Sequence, residues 1–322
     1  MSAPKPKLLV TQRFPKAVEA RALSDYEARV NETGASWGAD ELIEASAGMD
    51  GLLVAANDSL RGDVIERLPE SVRIIATFSV GYEHIDVAAA RERGMVVTNT
   101  PDVLTDATAD MAVLLMLTAA RRAGEGERTL RAGAWTGWTP TQFLGTQVTG
   151  KRLGIVGMGR IGRAVAHRMR AFAMEIHYHN RNRLAAGIED GAAFYADLDD
   201  LLPNCDFLSL HCPLTPETAK LLNAERIAKL PDGAVVVNSA RGAVVDDRAL
   251  IAALESGKVA AAGLDVYDGE PNVNAGYMGL ENAFLAPHLG SATVETRNAM
   301  GFRALDNLDA FFAGADPLDR LS

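Results

Sequence analysis

Three residues in the C-terminal half of the chain, Arg241, Glu270 and His288, carry side chains that together can bind an anion and move a proton. Arg241 lies in Asn238-Ser239-Ala240-Arg241-Gly242, Glu270 in Asp268-Gly269-Glu270-Pro271, and His288 directly after Pro287. A guanidinium presents a flat fork to a carboxylate. An imidazole gives up a proton near neutral pH, and a carboxylate on its second nitrogen fixes the tautomer and favours the charged ring. Each of the three follows a short apolar run, at residues 234–237, 261–265 and 283–286, which places all of them at the carboxyl ends of expected strands, where open α/β sheets hold ligands. Singly, each has a plainer reading: a surface ion pair for Arg241, a turn carboxylate for Glu270, a satisfied core histidine for His288.

A second feature is Gly157-Met158-Gly159-Arg160-Ile161-Gly162, which follows the apolar residues 153–156 and leads into a helical segment at 163–172. The G-x-G-x-x-G spacing in this context predicts a dinucleotide site: Gly157 for the tight turn, Gly159 for close approach of the backbone to a pyrophosphate, Gly162 for helix–strand packing. An ordinary tight turn is the alternative. NAD-binding chains carry Asp or Glu at the end of the next strand, here 175–179, to bond the ribose hydroxyls. This chain has Asn180, followed by Arg181, Asn182 and Arg183. A neutral amide beside two guanidiniums suits a 2′-phosphate, so NADP(H) is the expected cofactor, with NAD(H) also accommodated; the competing reading is a solvated basic turn.

These loops need a scaffold. Short apolar runs alternate with helix-length amphipathic segments, the pattern of parallel sheets covered by helices, so the expected class is α/β. Strands are expected at 7–11, 51–54, 73–78 and 96–98, with helices such as 39–47 and 87–93, making four βα units. Pro101 breaks the chain, and 107–123, rich in Ala, Leu and Met, predicts a long helix apolar on more than one face. Residues 124–149, with Trp135 and Trp138 and no sustained period, read as an excursion from the core. A second series, with strands at 153–156, 175–179, 207–210, 234–237, 261–265 and 283–286, matches a doubly wound dinucleotide sheet, and 294–313 reads as a final helix.

Composition narrows the partners. The 322 residues, 48% hydrophobic and 23% charged, are globular in character and sufficient for two domains. A formal charge of −10 offers no cation lattice for nucleic acid or an anionic membrane, so an anionic small molecule needs a local positive site. Cys205 and Cys212 have no companion pair for zinc and read as buried reduced thiols, and no metal is expected. The longest apolar stretch, 111–117, is too short to span a bilayer and the run at 8–10 too short for a signal peptide, which points to a soluble, cytoplasmic protein.

The chain also carries His211-Cys212-Pro213-Leu214-Thr215, Gly263-Leu264-Asp265-Val266 and Pro287-His288-Leu289-Gly290-Ser291-Ala292-Thr293. With the glycine loop and the run around Arg241, these five ordered motifs resemble the D-isomer-specific 2-hydroxyacid dehydrogenases, most of all glyoxylate/hydroxypyruvate reductases, from about Leu8 to the last helix. The resemblance implies a Rossmann-type cofactor domain at 102–290 and a smaller flavodoxin-like substrate domain at 1–101 and 291–322, with hinges near Pro101 and Ser291. It implies NAD(P)H-dependent reduction of a short 2-oxo acid such as glyoxylate or hydroxypyruvate, with Arg241 as substrate anchor, Glu270 as orienter and His288 as acid/base. Val80 and Gly81 would give backbone N–H groups to the substrate carboxylate. Asp265, with the backbone around Ser239 and Ala240, would hold the nicotinamide amide, and Pro213 and Gly290 would line the cofactor cleft. It further implies a homodimer formed through an arm at about 124–149, in which Trp138 either reaches the partner's active site or packs in the interface.

Two positions depart from the pattern: Asn180 replaces a frequent Asp, and Ala173 stands where glycine is common after Phe172. Rival activities on this fold are phenylpyruvate and phosphoglycerate reduction. Ala55, Ala56 and Asn57 offer no cation to a phosphorylated substrate. A dinucleotide-sensing interaction protein of the corepressor type is the rival outside catalysis, and no basic patch speaks for it.

Overall fold

The computed structural model describes residues 4–322, which divide into two compact units: the residues up to Leu104 with Ala292–Ser322, and Thr105–Ser291. The first unit is built from β1 (Lys7–Val10), α1 (Lys16–Asp25), β2 (Glu27–Val30), α2 (Ala39–Ala45), β3 (Gly51–Val54), α3 (Gly62–Arg67), β4 (Ile74–Thr77), α4 (Val87–Glu92) and β5 (Val96–Thr98). The strands are all parallel in the order β2-β1-β3-β4-β5, the flavodoxin-like arrangement. The central strands β3 and β4 are buried throughout, as continuous aliphatic runs in a two-sided parallel sheet should be. β2 is a fifth strand beyond the four expected. It is an edge strand in which Glu27 and Arg29 alternate with Ala28 and Val30, so it lacks the apolar run that marks the others.

The last helix of the chain, α12 (Val294–Phe312), returns to this unit and lays Ala304, Leu305 and Leu308 against Leu8, Val10 and Ile74. Beyond it the chain runs along β5: Leu321 donates to the Val97 carbonyl at 2.8 Å, and Arg320 forms an antiparallel bridge with Thr98. The tail thereby occupies hydrogen-bonding groups that an edge strand would otherwise expose.

The second unit contains α5 (Thr105–Ala120), α6 (Ala123–Arg131), β6 (Arg152–Val156), α7 (Arg160–Arg170), β7 (Glu175–His179), α8 (Ala186–Glu189), β8 (Ala193–Tyr195), α9 (Leu198–Leu201), β9 (Phe207–Leu210), α10 (Ala224–Lys229), β10 (Ala234–Asn238), α11 (Asp247–Ser256), β11 (Val259–Leu264) and β12 (Ala283–Leu285). Its sheet is parallel in the order β12-β11-β10-β9-β6-β7-β8, a doubly wound dinucleotide sheet with one strand added at the β12 edge. Strand alternation divides its core: Val235 and Val237 face a cluster with Leu115, Ile155 and Met169, while Val236 faces Leu208, Leu250 and Leu264 on the opposite side. The sheet has seven strands rather than six, because the three-residue edge strand β8 is too short and too exposed to register as an apolar run.

The segment after the long helix begins with a further helix and is not irregular throughout. Helix α5 stops at Ala120, Arg122 takes a left-handed conformation (φ 51°), and residues 123–131 form α6 instead of irregular chain. Gly124 and Gly126 lower the helix propensity of this segment and interrupt its apolar period, and a two-point ion pair between Arg122 and Glu125, at 2.6 and 2.7 Å, supports its first turn.

Among the described residues no helix is long and apolar enough to cross a membrane, and no cluster of three or more His, Cys, Asp or Glu side chains is disposed to hold a metal. Cys205 and Cys212 are free and buried; burial pushes their thiols up to about 12 and about 11.

Candidate active site

Because every strand of the second sheet runs the same way, the loops after β6, β7, β9, β10, β11 and β12 emerge along one edge. The strand order reverses between β6 and β9, which is where such sheets open a crevice. Gly157 sits there with φ +95°, and a Cβ on it would come within 2.7 Å of the His211–Cys212 backbone. A Cβ on Gly162 would stand 2.4 Å from the Gly157 carbonyl, whereas one on Gly159 would meet nothing within 4 Å. The two outer glycines are thus required by the protein's own backbone, and the middle one leaves free space at the N-terminus of α7, where amide groups and helix dipole favour a pyrophosphate. In the loop after β10 the Ser239 hydroxyl is buried with no protein partner. Open space at Gly159 and an orphaned hydroxyl at Ser239 both fit a bound dinucleotide.

Two of the residues after β7 have partners within the chain. Asn180 accepts a 2.7 Å hydrogen bond from the Met158 N–H through Oδ1, bracing the glycine loop. Arg183 is engaged at 2.9 and 3.0 Å by Glu189 and lies over the Phe194 ring. Glu189 also accepts from the Tyr178 hydroxyl at 2.6 Å, and these bonds, Arg183's first, hold its carboxyl below the ordinary range. Arg183 is thereby paired with the last residue of α8, while Arg181 is exposed, with Glu217 as a charged neighbour. Arg160 and Ile161 form the first turn of α7, and Pro213 lies in the loop after β9, its carbonyl accepting from Thr218 Oγ1 at 2.6 Å.

Glu270 and His288 meet. His288 Nδ1 donates to Glu270 Oε2 at 2.7 Å, since a carboxylate can only accept, and Nε2 takes no part in this bond on a half-exposed side chain. Glu270 Oε1 accepts from the Tyr267 N–H at 2.7 Å. Burial acts to raise the Glu270 pKa, but the bonds from His288 and Tyr267 and the charges of His288 and Arg241 outweigh it and hold the carboxyl below its ordinary range. Arg241 contributes to the same electrostatic group. Its loop is folded by Asn238, which donates to the Arg241 carbonyl at 2.9 Å and accepts from the Ala240 N–H at 3.0 Å. A Cβ at Gly242 would fall 1.8 Å from the Tyr267 carbonyl carbon, so only glycine lets the Arg241 loop pass this close to the Glu270 loop.

His288 itself has φ 53°, a left-handed conformation uncommon for a side-chain-bearing residue. Asp265, 1% exposed, holds that turn: its carboxylate accepts from the N–H groups of Leu289 at 2.6 Å and Gly290 at 2.8 Å, and its carbonyl accepts from the His288 N–H at 2.9 Å. Burial raises the Asp265 pKa against the opposing pull of these two amides. The resemblance directs Asp265 to the nicotinamide; its contacts within the chain are to the histidine turn, a part that residue type alone does not reveal. In the first unit, Val80 and Gly81 lie in the loop after β4. Trp138, beyond α6, is 79% exposed, and the chain's own fold does not cover it.

The model of the D-isomer-specific 2-hydroxyacid dehydrogenase NAD-binding domain matches residues 113–290, which include the glycine loop, Arg241, Glu270 and His288. The chain belongs to the D-isomer-specific 2-hydroxyacid dehydrogenases. Among relatives in this family, a glycerate dehydrogenase of Hyphomicrobium methylovorum is 45% identical over 314 residues, spanning 97% of this chain and 98% of the relative. A glyoxylate reductase of Thermococcus litoralis is 42% identical, over 97% and 96% of the two chains. A solved NADPH-dependent glyoxylate/hydroxypyruvate reductase from Sinorhizobium meliloti, in complex with NADP and malonate, superposes with a TM-score of 0.89 at 35% identity, covering 99% of this chain and 97% of that one. As a 2-hydroxyacid dehydrogenase the chain is an oxidoreductase with a nicotinamide cofactor domain.

Proposed function

We propose that this dehydrogenase reduces a short 2-oxo acid, glyoxylate or hydroxypyruvate, to the corresponding 2-hydroxy acid, with NADPH preferred over NADH. The observation that carries the reading is the 2.7 Å pair of His288 and Glu270 beside Arg241, at the edge of a sheet whose glycine loop fits a dinucleotide. The bound dinucleotide supplies a hydride to the keto carbon. His288 gives the Nε2 proton to the carbonyl oxygen as that oxygen gains charge, and Glu270 steadies the ring through Nδ1. Arg241 holds the substrate carboxylate and polarises the carbonyl, and the N–H groups of Val80 and Gly81 take the remaining carboxylate lone pairs. Asp265 keeps His288 in its strained turn and, with Ser239 and Ala240, borders the nicotinamide.

The NADPH preference rests on Asn180, which brings no carboxylate against a 2′-phosphate, and on the exposed Arg181; Arg183, committed to Glu189, has the smaller part. A homodimer through the arm is supported by the exposed Leu130, Trp135, Trp138 and Leu144, and two free buried thiols suit a reducing, cytoplasmic compartment. The deciding experiment follows absorbance of NADPH and NADH with glyoxylate, hydroxypyruvate, pyruvate and phenylpyruvate. Fastest turnover is expected with NADPH and the first two acids. No oxidation with any of the four would refute the reading, and light scattering on the same sample would report the dimer.

A further inference from the structure

The loop Ser79-Val80-Gly81 is held by its carbonyls. In a trans peptide the C=O and the N–H point in opposite directions, so a donor fastened to the carbonyl aims the N–H on the other side of the same peptide. The Thr100 N–H donates to Ser79 O at 3.0 Å and thereby sets the direction of the Val80 N–H. The Asn99 side chain donates through Nδ2 to Val80 O at 2.8 Å and sets the Gly81 N–H. The Ser79 hydroxyl donates to Gly81 O at 2.6 Å and is bonded in turn to Thr77 Oγ1 at 2.8 Å, itself 2.9 Å from His84 Nε2. Among the described residues, neither the Val80 nor the Gly81 N–H has an acceptor within the protein.

Asn99 is itself held from the far end of the chain. Its N–H donates to Asp319 O, and its carbonyl accepts from Asn307 Nδ2, both at 3.3 Å. Asn307 donates to the Asp319 carboxylate at 2.9 Å and accepts the Asp319 N–H at 3.2 Å, while Arg303 closes on both Asp319 oxygens at 2.5 and 2.9 Å. Asn307 and Asp319 are buried. The backbone bond from Asn99 to Asp319 belongs to the Thr98–Arg320 antiparallel bridge, whereas the side-chain bonds of Asn307, Arg303 and Asn99 lie outside it and end on one loop carbonyl.

We propose that Asn99 is a positioning residue for the substrate: it aims the Gly81 N–H at the carboxylate of the 2-oxo acid, and the Arg303–Asp319–Asn307 group holds Asn99 in place to do so. The inference rests on the reading of Val80 and Gly81 as carboxylate donors given above. Asn99→Ser is too short to reach Val80 O, and Asn99→Leu keeps the volume without a donor. In both, KM for glyoxylate should rise about 10- to 100-fold, the range of one hydrogen bond to a charged group. Affinity for oxalate, measured by calorimetry, should fall in parallel, while kcat stays within about threefold and NADPH affinity is unchanged.

A purely structural asparagine would lower the melting temperature without this split between KM and kcat. If either Asn99 variant lacks a cooperative melt, Asn307→Ala, one bond further out, carries the same test and should raise KM in the same sense by a smaller factor. Unchanged KM and oxalate affinity in the folded variants of an active enzyme overturns this inference alone. A wild-type enzyme inactive with every 2-oxo acid overturns the functional reading and this inference with it.

Discussion

The loop after β4 and the loop after β6 occupy equivalent places, each at the carboxyl end of a strand in a parallel sheet, yet they are shaped by opposite means. The glycine loop is formed by what is missing: Cβ atoms at Gly157 and Gly162 would collide with nearby backbone, and Gly159 leaves room for a ligand. The loop at Ser79–Gly81 is formed by what is present, with Asn99, Thr100 and the Ser79 hydroxyl each holding one carbonyl. A loop shaped by missing atoms is encoded within six adjacent positions, whereas a loop shaped by donors draws on residues scattered over the chain. The first should fail when atoms are added and the second when they are removed.

If both loops only bind, turnover must come from elsewhere. His288→Ala should therefore give the largest loss, about 100- to 10,000-fold in kcat with NADPH affinity within about threefold of wild type, measured by steady-state kinetics and fluorescence titration. A kcat close to wild type would put the chemistry back on the loops. Next, Gly162→Ala adds a methyl against the Gly157 carbonyl; NADPH binding should weaken at least tenfold, about 1.4 kcal/mol, while Asn99 and its loop are untouched. Normal NADPH titration of that variant would break the contrast between the two loops.

Asn180→Asp sharpens it. An aspartate can still accept the Met158 N–H, so the glycine loop should persist while the added charge repels a 2′-phosphate and takes the ribose hydroxyls. The ratio of kcat/KM for NADPH over NADH is expected to fall about tenfold, a difference of about 1.4 kcal/mol, with little change in glyoxylate KM. The smallest effect concerns Ala173, whose φ of 54° explains why glycine would suit the position after Phe172: it ends the α7 segment in a left-handed conformation. Ala173→Gly should stabilise the protein by about 0.5–1 kcal/mol and raise the melting temperature by roughly 2 °C in calorimetry.

The same contrast accounts for what could be read in advance. Strands with continuous apolar runs, such as residues 51–54 and 207–210, were legible to the residue because burial on both faces leaves no other pattern. β2 and β8 were not, since edge strands carry polar or partly exposed side chains, and α6 was hidden by its glycines. In the site, the glycine loop and the residues Arg241, Glu270 and His288 stand on short local motifs. The capture of Arg183 by Glu189 and the clamp of Asp265 on the histidine turn depend on pairings that only the folded chain creates, and residue type was silent about them. Ala173 is an intermediate case: the odd residue was visible, and its meaning came from a backbone angle.

The return of α12 to the first unit has a consequence for how the protein is made. Leu8, Val10 and Ile74 are covered by a helix that leaves the ribosome only after all of Thr105–Ser291 has been synthesised. At ordinary translation rates the nascent N-terminal sheet waits on the order of ten seconds with that face covered by α1 alone, while the contiguous second unit can close on its own. Chaperone demand during synthesis should accordingly concentrate on the first hundred or so residues.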